Sequence, residues 1–296
     1  MKIIKKEDPI YILKSIKNDI EIKNMIDAHV IDGVALTKFI YWIKNLKKMN
    51  ITEVDAQNKL EQIRRMNSKY LFPSFNTIAG SGKNGAIVHY RATKNNTKLI
   101  KKNEIFLCDS GGQYKYGTTD VTRTICFENQ NKNIKNIFTN VLKGHIAVAQ
   151  TDLNKKKTGK LIDKDARKFL KKYNLDYSHG TGHGVGFFLN VHEGPQSISK
   201  SNSVKIQKGM ILSNEPGYYK KDKFGIRIEN LVYVKKIGRK LGFENLTLAP
   251  IEKDLINFNL LTKEEKNYLF NYHKKVYSKI SPFLNRNEKR WLASFI

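Results

Sequence analysis

Apolar residues recur at Ile22, Ile26, Val30, Val34, Ile40 and Ile43 with charged residues between them. The spacing is close to that of one helix face, and it predicts an amphipathic helix over residues 21 to 48. Thr52 followed by Glu53 and Asp55 reads as a helix start, because a threonine hydroxyl can accept a free backbone N–H and acids favour the first turn. LEQIRRM continues that helix to about Met66. Residues 1 to 67 are thus predicted as two or three helices. At Tyr70 the texture changes. TIAGSGKNGAIVHY, EIFLCDSGG and DVTRTICF are rich in β-branched residues and punctuated by glycine, which predicts strands and tight turns. Helical pattern returns over 133 to 151 and 158 to 173, and strands with loops are predicted over 177 to 250, including the strand-like FFLNVHEGP. Thr262 with Glu265 is a capping box for a helix through Lys279, and a short terminal helix carries Trp291. No Pro/Gly/Ser-rich linker divides the chain, so one α+β domain is predicted over 1–296: helices in 1–67, a mixed core in 70–250 and helices in 262–296.

Composition narrows the class. The 40% hydrophobic content is that of a globular protein, and no apolar run approaches the roughly 20 residues of a membrane span. MKIIKKEDPIYILKSIKNDIEIK has no continuous apolar segment and no small-residue cleavage site, which argues against a secretory leader. Cys108 and Cys126 are the only cysteines and form no CxxC pair, so a reducing, cytoplasmic setting is expected. The net charge of +27 points by itself toward nucleic acid or an acidic membrane. The lysines are scattered in short pairs among asparagines, however, with no nucleic-acid-binding motif, and a solvated basic surface is the better reading.

Candidate chemistry lies in two hairpins and the glycine-rich stretch between them. LCDSGGQYKYGTTDVTRTI has a turn at Tyr114 to Gly117. Folded symmetrically about Tyr114 and Lys115, it would set Asp109 opposite Asp120, with Thr118 and Thr122 on the Asp120 face. In NEPGYYKKDKFGIRIENLVYV, Glu215 and Glu229 are equidistant from Asp222 in a Lys-Asp-Lys turn. Arg227 would share the Glu229 face, with Ile226 and Ile228 on the other. The echo between the hairpins hints at a duplicated half. Facing carboxylates repel unless positive charge lies between them. HGTGHGVGFFLNVHEGP adds His179, His183 and His192 among glycines, which can let a backbone come close to a ligand. His29, His145 and His273 sit in helical segments and read as core residues. Four carboxylates and one imidazole suit two divalent cations about 3.5–4 Å apart. The oxygen-rich set fits Mn(II), with Fe(II), Co(II) or Zn(II) as other occupants, and it does not fit a closed structural zinc site.

DSGGQYKYGTTDVTRT, HGTGHGVGFFLNVHEGP, EPGYY and GIRIEN together resemble the pita-bread metallopeptidases, specifically the Xaa-Pro aminopeptidases (aminopeptidase P) of the eukaryotic cytosolic type. The resemblance runs from about Pro9 to the C-terminal Trp-Leu pair. It implies the pita-bread fold, a pseudo-symmetric antiparallel sheet flanked by helices. It also implies that Asp109 and Asp120 bind one metal, that His183 and Glu215 bind the other, and that Asp120 and Glu229 bridge both. His89, His179 and His192 match substrate-contacting histidines, Tyr219 and Arg227 match supporting residues, and Glu215 matches a proton carrier. Glu193 has no place among the ligands. The implied activity is hydrolysis of an N-terminal Xaa-Pro bond by a water activated between two metals, on peptides with proline second, in a homodimer. The resemblance implies three departures: it starts at the family's catalytic domain rather than at the two domains that precede it there, Tyr116 replaces a usual Asp, and Lys220-Lys221 is unusually basic. Prolidase and methionine aminopeptidase use the same ligand types, but the short Glu215 to Glu229 hairpin and VHEGP favour aminopeptidase P. A further reading is a non-catalytic module whose basic surface binds nucleic acid or an acidic protein.

Overall fold

A computed structural model describes residues 8–296. The part of the N-terminal helix and leader readings that falls on residues 1–7 lies outside the described residues. α1 (Pro9–Leu13) is a single turn with Pro9 at its start, where a missing N–H costs nothing. α2 (Asp19–Lys44) and α3 (Glu53–Arg65) follow. Both open with reciprocal capping boxes, Thr52 with Asp55 as the sequence indicates and Asn18 with Glu21, which sequence reading missed.

The strands begin at Tyr70. β1 (Tyr70–Pro73), β2 (Ile78–Ser81), β3 (Phe106–Ser110), β4 (Gly112–Tyr114), β5 (Gly117–Thr118) and β6 (Val121–Ile125) form two antiparallel sheets, ordered β1-β4-β5 and β2-β3-β6. Ile87–Tyr90, predicted as strand, is instead irregular chain after a 3₁₀ turn at Gly82–Ala86. α4 (Lys132–Ala149) and α5 (Gly159–Lys171) lie close to their expected bounds. The remaining strands are β7 (Gly182–His183), β8 (Ser197–Ile198), β9 (Ile211–Asn214), β10 (Gly217–Lys220), β11 (Phe224–Arg227), β12 (Asn230–Ile237) and β13 (Lys240–Asn245). FFLNVHEGP forms no strand. Its backbone closes on itself, Gly186 N–H donating to Asn190 O and Glu193 N–H to Gly184 O, so extended residues there have no ladder to join. α6 (Lys263–Ile280) opens on the Thr262/Glu265 box, and α7 (Arg286–Ala293) carries Trp291.

Alternation along β3 and β6 decides where the chemistry can sit. Phe106, Cys108, Val121 and Ile125 pack under Leu36, Phe39, Ile40 and Ile43 of α2, leaving Asp109 and Thr122 on the opposite face. Each such fully buried aliphatic or Phe side chain stabilises by about 1.5–3 kcal/mol. Ile226 and Ile228 of the second hairpin bury against Phe138, Val141 and Leu142 of α4, which directs Arg227 the other way. His29, His145 and His273 are buried within helices, as expected. Cys108 and Cys126 are buried and free.

Candidate metal centre

The first hairpin departs from the expected register. Asp109 stands opposite Thr122, Ser110 opposite Val121 and Tyr114 opposite Gly117, so the centre is Lys115-Tyr116, with Tyr116 at a φ of 67°. The pairing partner of Asp109 is thus two residues beyond Asp120. A shift of two preserves side-chain parity, so Asp120 still lies on the Asp109 face as a diagonal neighbour. A shift of one would have turned it away. The second hairpin follows the sequence reading. Gly217 opposes Arg227 and Asn214 opposes Asn230, which brackets Glu215 and Glu229 in facing positions. Asp222 takes a φ of 57° at the tip.

The two hairpins and β7 bring the five candidate ligands together. Carboxylate oxygens of Asp109, Asp120 and Glu229 all lie within 4.8 Å of one another, as do donor atoms of His183, Glu215 and Glu229. His183 Nε2 is 3.4 Å from Asp120 Oδ2 and 3.4 Å from Glu215 Oε1. The other ring nitrogen, Nδ1, faces Gly184 O at 3.0 Å and donates to it, which fixes the tautomer and leaves the Nε2 lone pair toward the carboxylates. His192 stacks edge-on to His183 at 4.0 Å between ring centres, and its donor nitrogen joins Asp120 and His183 within 4.8 Å. Thr122 Oγ1 donates to Glu229 Oε2 at 2.7 Å and Ser213 Oγ to Glu215 Oε1 at 3.1 Å.

Electrostatics leave the cluster short of positive charge. Asp120 is held well above the usual carboxylate range, by burial first and then by Asp109 and Glu215. Glu229 is raised in the same direction, by burial and then Asp120. Burial also opposes ionisation of Glu215, but His183, His179 and Arg227 outweigh it and hold its carboxyl below the ordinary value. Asp109 Oδ1 is buried without a hydrogen-bond partner. An orphaned oxygen and mutually repelling buried carboxylates fit divalent cations, which would supply the missing positive charge.

A second chain of contacts runs beside the ligands. Arg227 donates from Nη2 to Asp109 Oδ2 at 2.5 Å, from Nη1 to the Tyr219 hydroxyl at 2.5 Å and from Nε to Thr122 Oγ1 at 3.1 Å. Tyr219 lies 2.8 Å from His179 Nε2, while His179 Nδ1 lies 2.7 Å from Gly180 O. Both nitrogens of His179 are therefore engaged. Burial pulls His179 and His192 below the ordinary histidine value, helped at His192 by the His183 ring. The cleft, about 480 Å³, is lined by the five candidate ligands, Arg227, His179 and His192 together with His89, which is exposed, and with Phe75, Asn76, Ile78 and Val191. Phe75 and Asn76 fall outside every stretch the sequence reading singled out, and nothing in their spacing marks them. Gly180 and Gly182 line the cleft. Glycine has a second use beside it: a Cβ on Gly182 would lie 2.0 Å from Ser213 O and one on Gly184 2.0 Å from Glu193 O, so these positions also admit neighbouring backbone.

A buried carboxylate–imidazole cluster carried on paired hairpins, opening on a cleft of about 480 Å³, is the arrangement of the pita-bread class of fold. The chain belongs to metallopeptidase family M24: that family's model matches residues 23–236, and the model of its C-terminal region matches residues 239–294. A probable Xaa-Pro aminopeptidase P of Phaeosphaeria nodorum is 43% identical over 301 residues, covering 97% of this chain and 46% of that protein. The crystal structure of X-prolyl aminopeptidase from Caenorhabditis elegans, described as a cytosolic enzyme with a di-nuclear active site, superposes with a TM-score of 0.92 at 36% identity, covering 97% of this chain and 49% of that one. Prolidase from Pyrococcus furiosus superposes at 0.71 with 29% identity, covering 80% and 66%. The chain spans about half the length of the curated relatives it matches.

Proposed function

We propose that this chain is a metal-dependent aminopeptidase that hydrolyses the bond between an N-terminal residue and proline. The carrying observation is the convergence of Asp109, Asp120, His183, Glu215 and Glu229 in one cleft. Asp109, Asp120, His183, Glu215 and Glu229 would hold two cations, and the overlap of their close donor groups at Asp120, His183 and Glu229 supports a shared site. Four carboxylates and one imidazole favour Mn(II). When bound, such cations polarise a carbonyl and lower the pKa of water. The protein's own groups supply the rest. Glu215, kept ionised, accepts a proton and delivers it to the leaving prolyl nitrogen. His192, kept neutral and exposed to the cleft, donates to the oxygen on which charge develops. His89 contacts the peptide from the rim. His179 has both nitrogens occupied, so it meets the proline ring with its face while Tyr219 and Arg227 hold it in place.

The greater likeness to the nematode X-prolyl aminopeptidase than to the archaeal prolidase supports the aminopeptidase reading over the dipeptidase one. We further infer one catalytic domain that works as a homodimer in the cytoplasm. Among the described residues no helix is long and apolar enough to cross a membrane. The test is to load the protein with Mn(II) and assay Arg-Pro-Pro beside Arg-Ala-Pro. Arginine released only from the first supports the proposal. Cleavage of both, or of neither once two ions are bound, overturns it.

A further inference from the structure

Glu193 is the acid of the glycine-rich stretch that the ligand set leaves unused. Its side chain is 2% exposed, neither carboxylate oxygen makes a hydrogen bond among the described residues, and its ion-pair partner is Lys14, with Nζ 3.2 Å from Oε2. The carboxylate sits over Gly186 so closely that a Cβ there would lie 2.7 Å from Oε2. Lys14 belongs to the segment between α1 and α2, and the chain here holds the same loop at two more points. Lys17 Nζ of that segment donates to Val185 O at 2.6 Å, and the hydroxyl of Tyr11 in α1 covers Gly194, 2.5 Å from where a Cβ would stand. The segment is itself anchored, Lys17 N–H donating to Gly209 O at 2.9 Å and Ile16 bridging Met210. Lys17 is buried, which pulls its pKa down to about 8 against the pull of Glu193. Two lysines that could reach water thus point inward at one loop.

The loop they hold runs from Val185 to Gly194 and leaves His183 at one end and His192 at the other. Forming no strand, it takes its shape from its own two backbone bonds, from these contacts, and from Gln113 Nε2 donating to Leu189 O at 2.8 Å and Val185 N–H to Ile211 O at 3.2 Å. We propose that Lys14, Lys17 and Glu193 form a clasp that positions His192 over the metal cluster, so that residues before α2 take part in setting the active-site geometry. The inference rests on the reading of His192 as a substrate contact. These three are positioning residues and touch no substrate. Glu193 is next to His192 in the chain, so a displacement of its buried carboxylate passes directly to the imidazole. A misplacement of about 1 Å can cost as much as 10²-fold in rate.

The test uses the full chain loaded with Mn(II), and reads both kinetics on an Xaa-Pro tripeptide and amide hydrogen exchange across residues 185–194. Glu193→Gln is expected to lower kcat about tenfold with KM within about twofold, and to speed exchange in the loop about tenfold. Two bound ions per chain should remain. Lys14→Met, a partly exposed position that tolerates change, should act in the same direction, Lys14→Arg should retain activity, and Lys14→Met with Glu193→Gln should be no worse than Lys14→Met alone. A buried charge without its partner costs more than losing both. Wild-type kcat in Glu193→Gln and Lys14→Met, or slowed turnover with no local change in exchange, overturns the clasp. If the unmodified protein cleaves no Xaa-Pro peptide, it is the peptidase reading that fails. The exchange arm then still decides whether Lys14 and Glu193 hold the loop, and unchanged protection in their variants overturns the clasp there too.

Discussion

Arg227 and Asp109, 118 positions apart in sequence, form a 2.5 Å ion pair in the floor of the cleft. The guanidinium is buried, and although burial disfavours its charge, Tyr219 and Asp109 hold it firmly protonated. Since its other nitrogens bond Tyr219 and Thr122, one side chain ties the first hairpin to the second and orients the His179 partner.

Arg227→Met should therefore expose the cost of an uncompensated buried carboxylate. A loss of about 3–5 kcal/mol is expected in urea denaturation of the metal-free protein. With saturating Mn(II) most of that loss should be recovered, because the ions restore positive charge beside Asp109. Equal losses with and without metal would show that the arginine stabilises through packing alone.

Asp120→Asn should separate stability from function. Burial, then Asp109 and Glu215, make the Asp120 charge unfavourable in the metal-free state. Removing that charge at pH 7 should raise metal-free stability by about 1 kcal/mol or more. Bound metal should fall below two ions per chain, and turnover by about 10³-fold or more. Mass spectrometry of the metal content, calorimetry and peptide assay check the three parts, and a variant that keeps two ions and full turnover would remove Asp120 from the ligand set.

The buried His29 contributes to an acid limit on stability, as do His145 and His273, whose pKa burial lowers to about 3. Burial lowers the His29 pKa from 6.5 to about 4, so between those values the unfolded chain binds a proton that the folded chain refuses. Its contribution is complete above pH 6.5 and is lost as pH falls toward 4, on the order of 3 kcal/mol. In metal-free protein, the stability difference between pH 7 and pH 4.5 should shrink by about that amount in His29→Met. A variant with the wild-type pH dependence would place the titration elsewhere.

The helix starts at Thr52 and Thr262 were legible because a cap is local chemistry: the hydroxyl and the acid three residues on need only each other. The face of α2 was legible because its apolar period is written into consecutive turns. Glu215 and Glu229 were legible because a tight turn at Asp222 carries its register outward unbroken into β9 and β12. The first hairpin was misread by two positions because the chain fixes its own turn through Tyr116, and only the even size of that error kept Asp120 on the right face.

By itself the sequence singled out the carboxylates and the histidine that the fold gathers in one cleft, and the way most helices and hairpins run, since caps, periods and turns act within a few residues. Tertiary structure alone decided the rest. FFLNVHEGP has the composition of a strand, yet it is a loop because no neighbouring strand presents a ladder and Lys14, Lys17 and Tyr11 hold it instead. The close approach of Ser213 O to Gly182 and of Glu193 O to Gly184 was likewise invisible in the sequence, because it depends on how distant strands pack. Partners far apart in sequence choose such outcomes, because hydrogen bonds, ion pairs and close backbone approaches depend on where the rest of the chain has been brought.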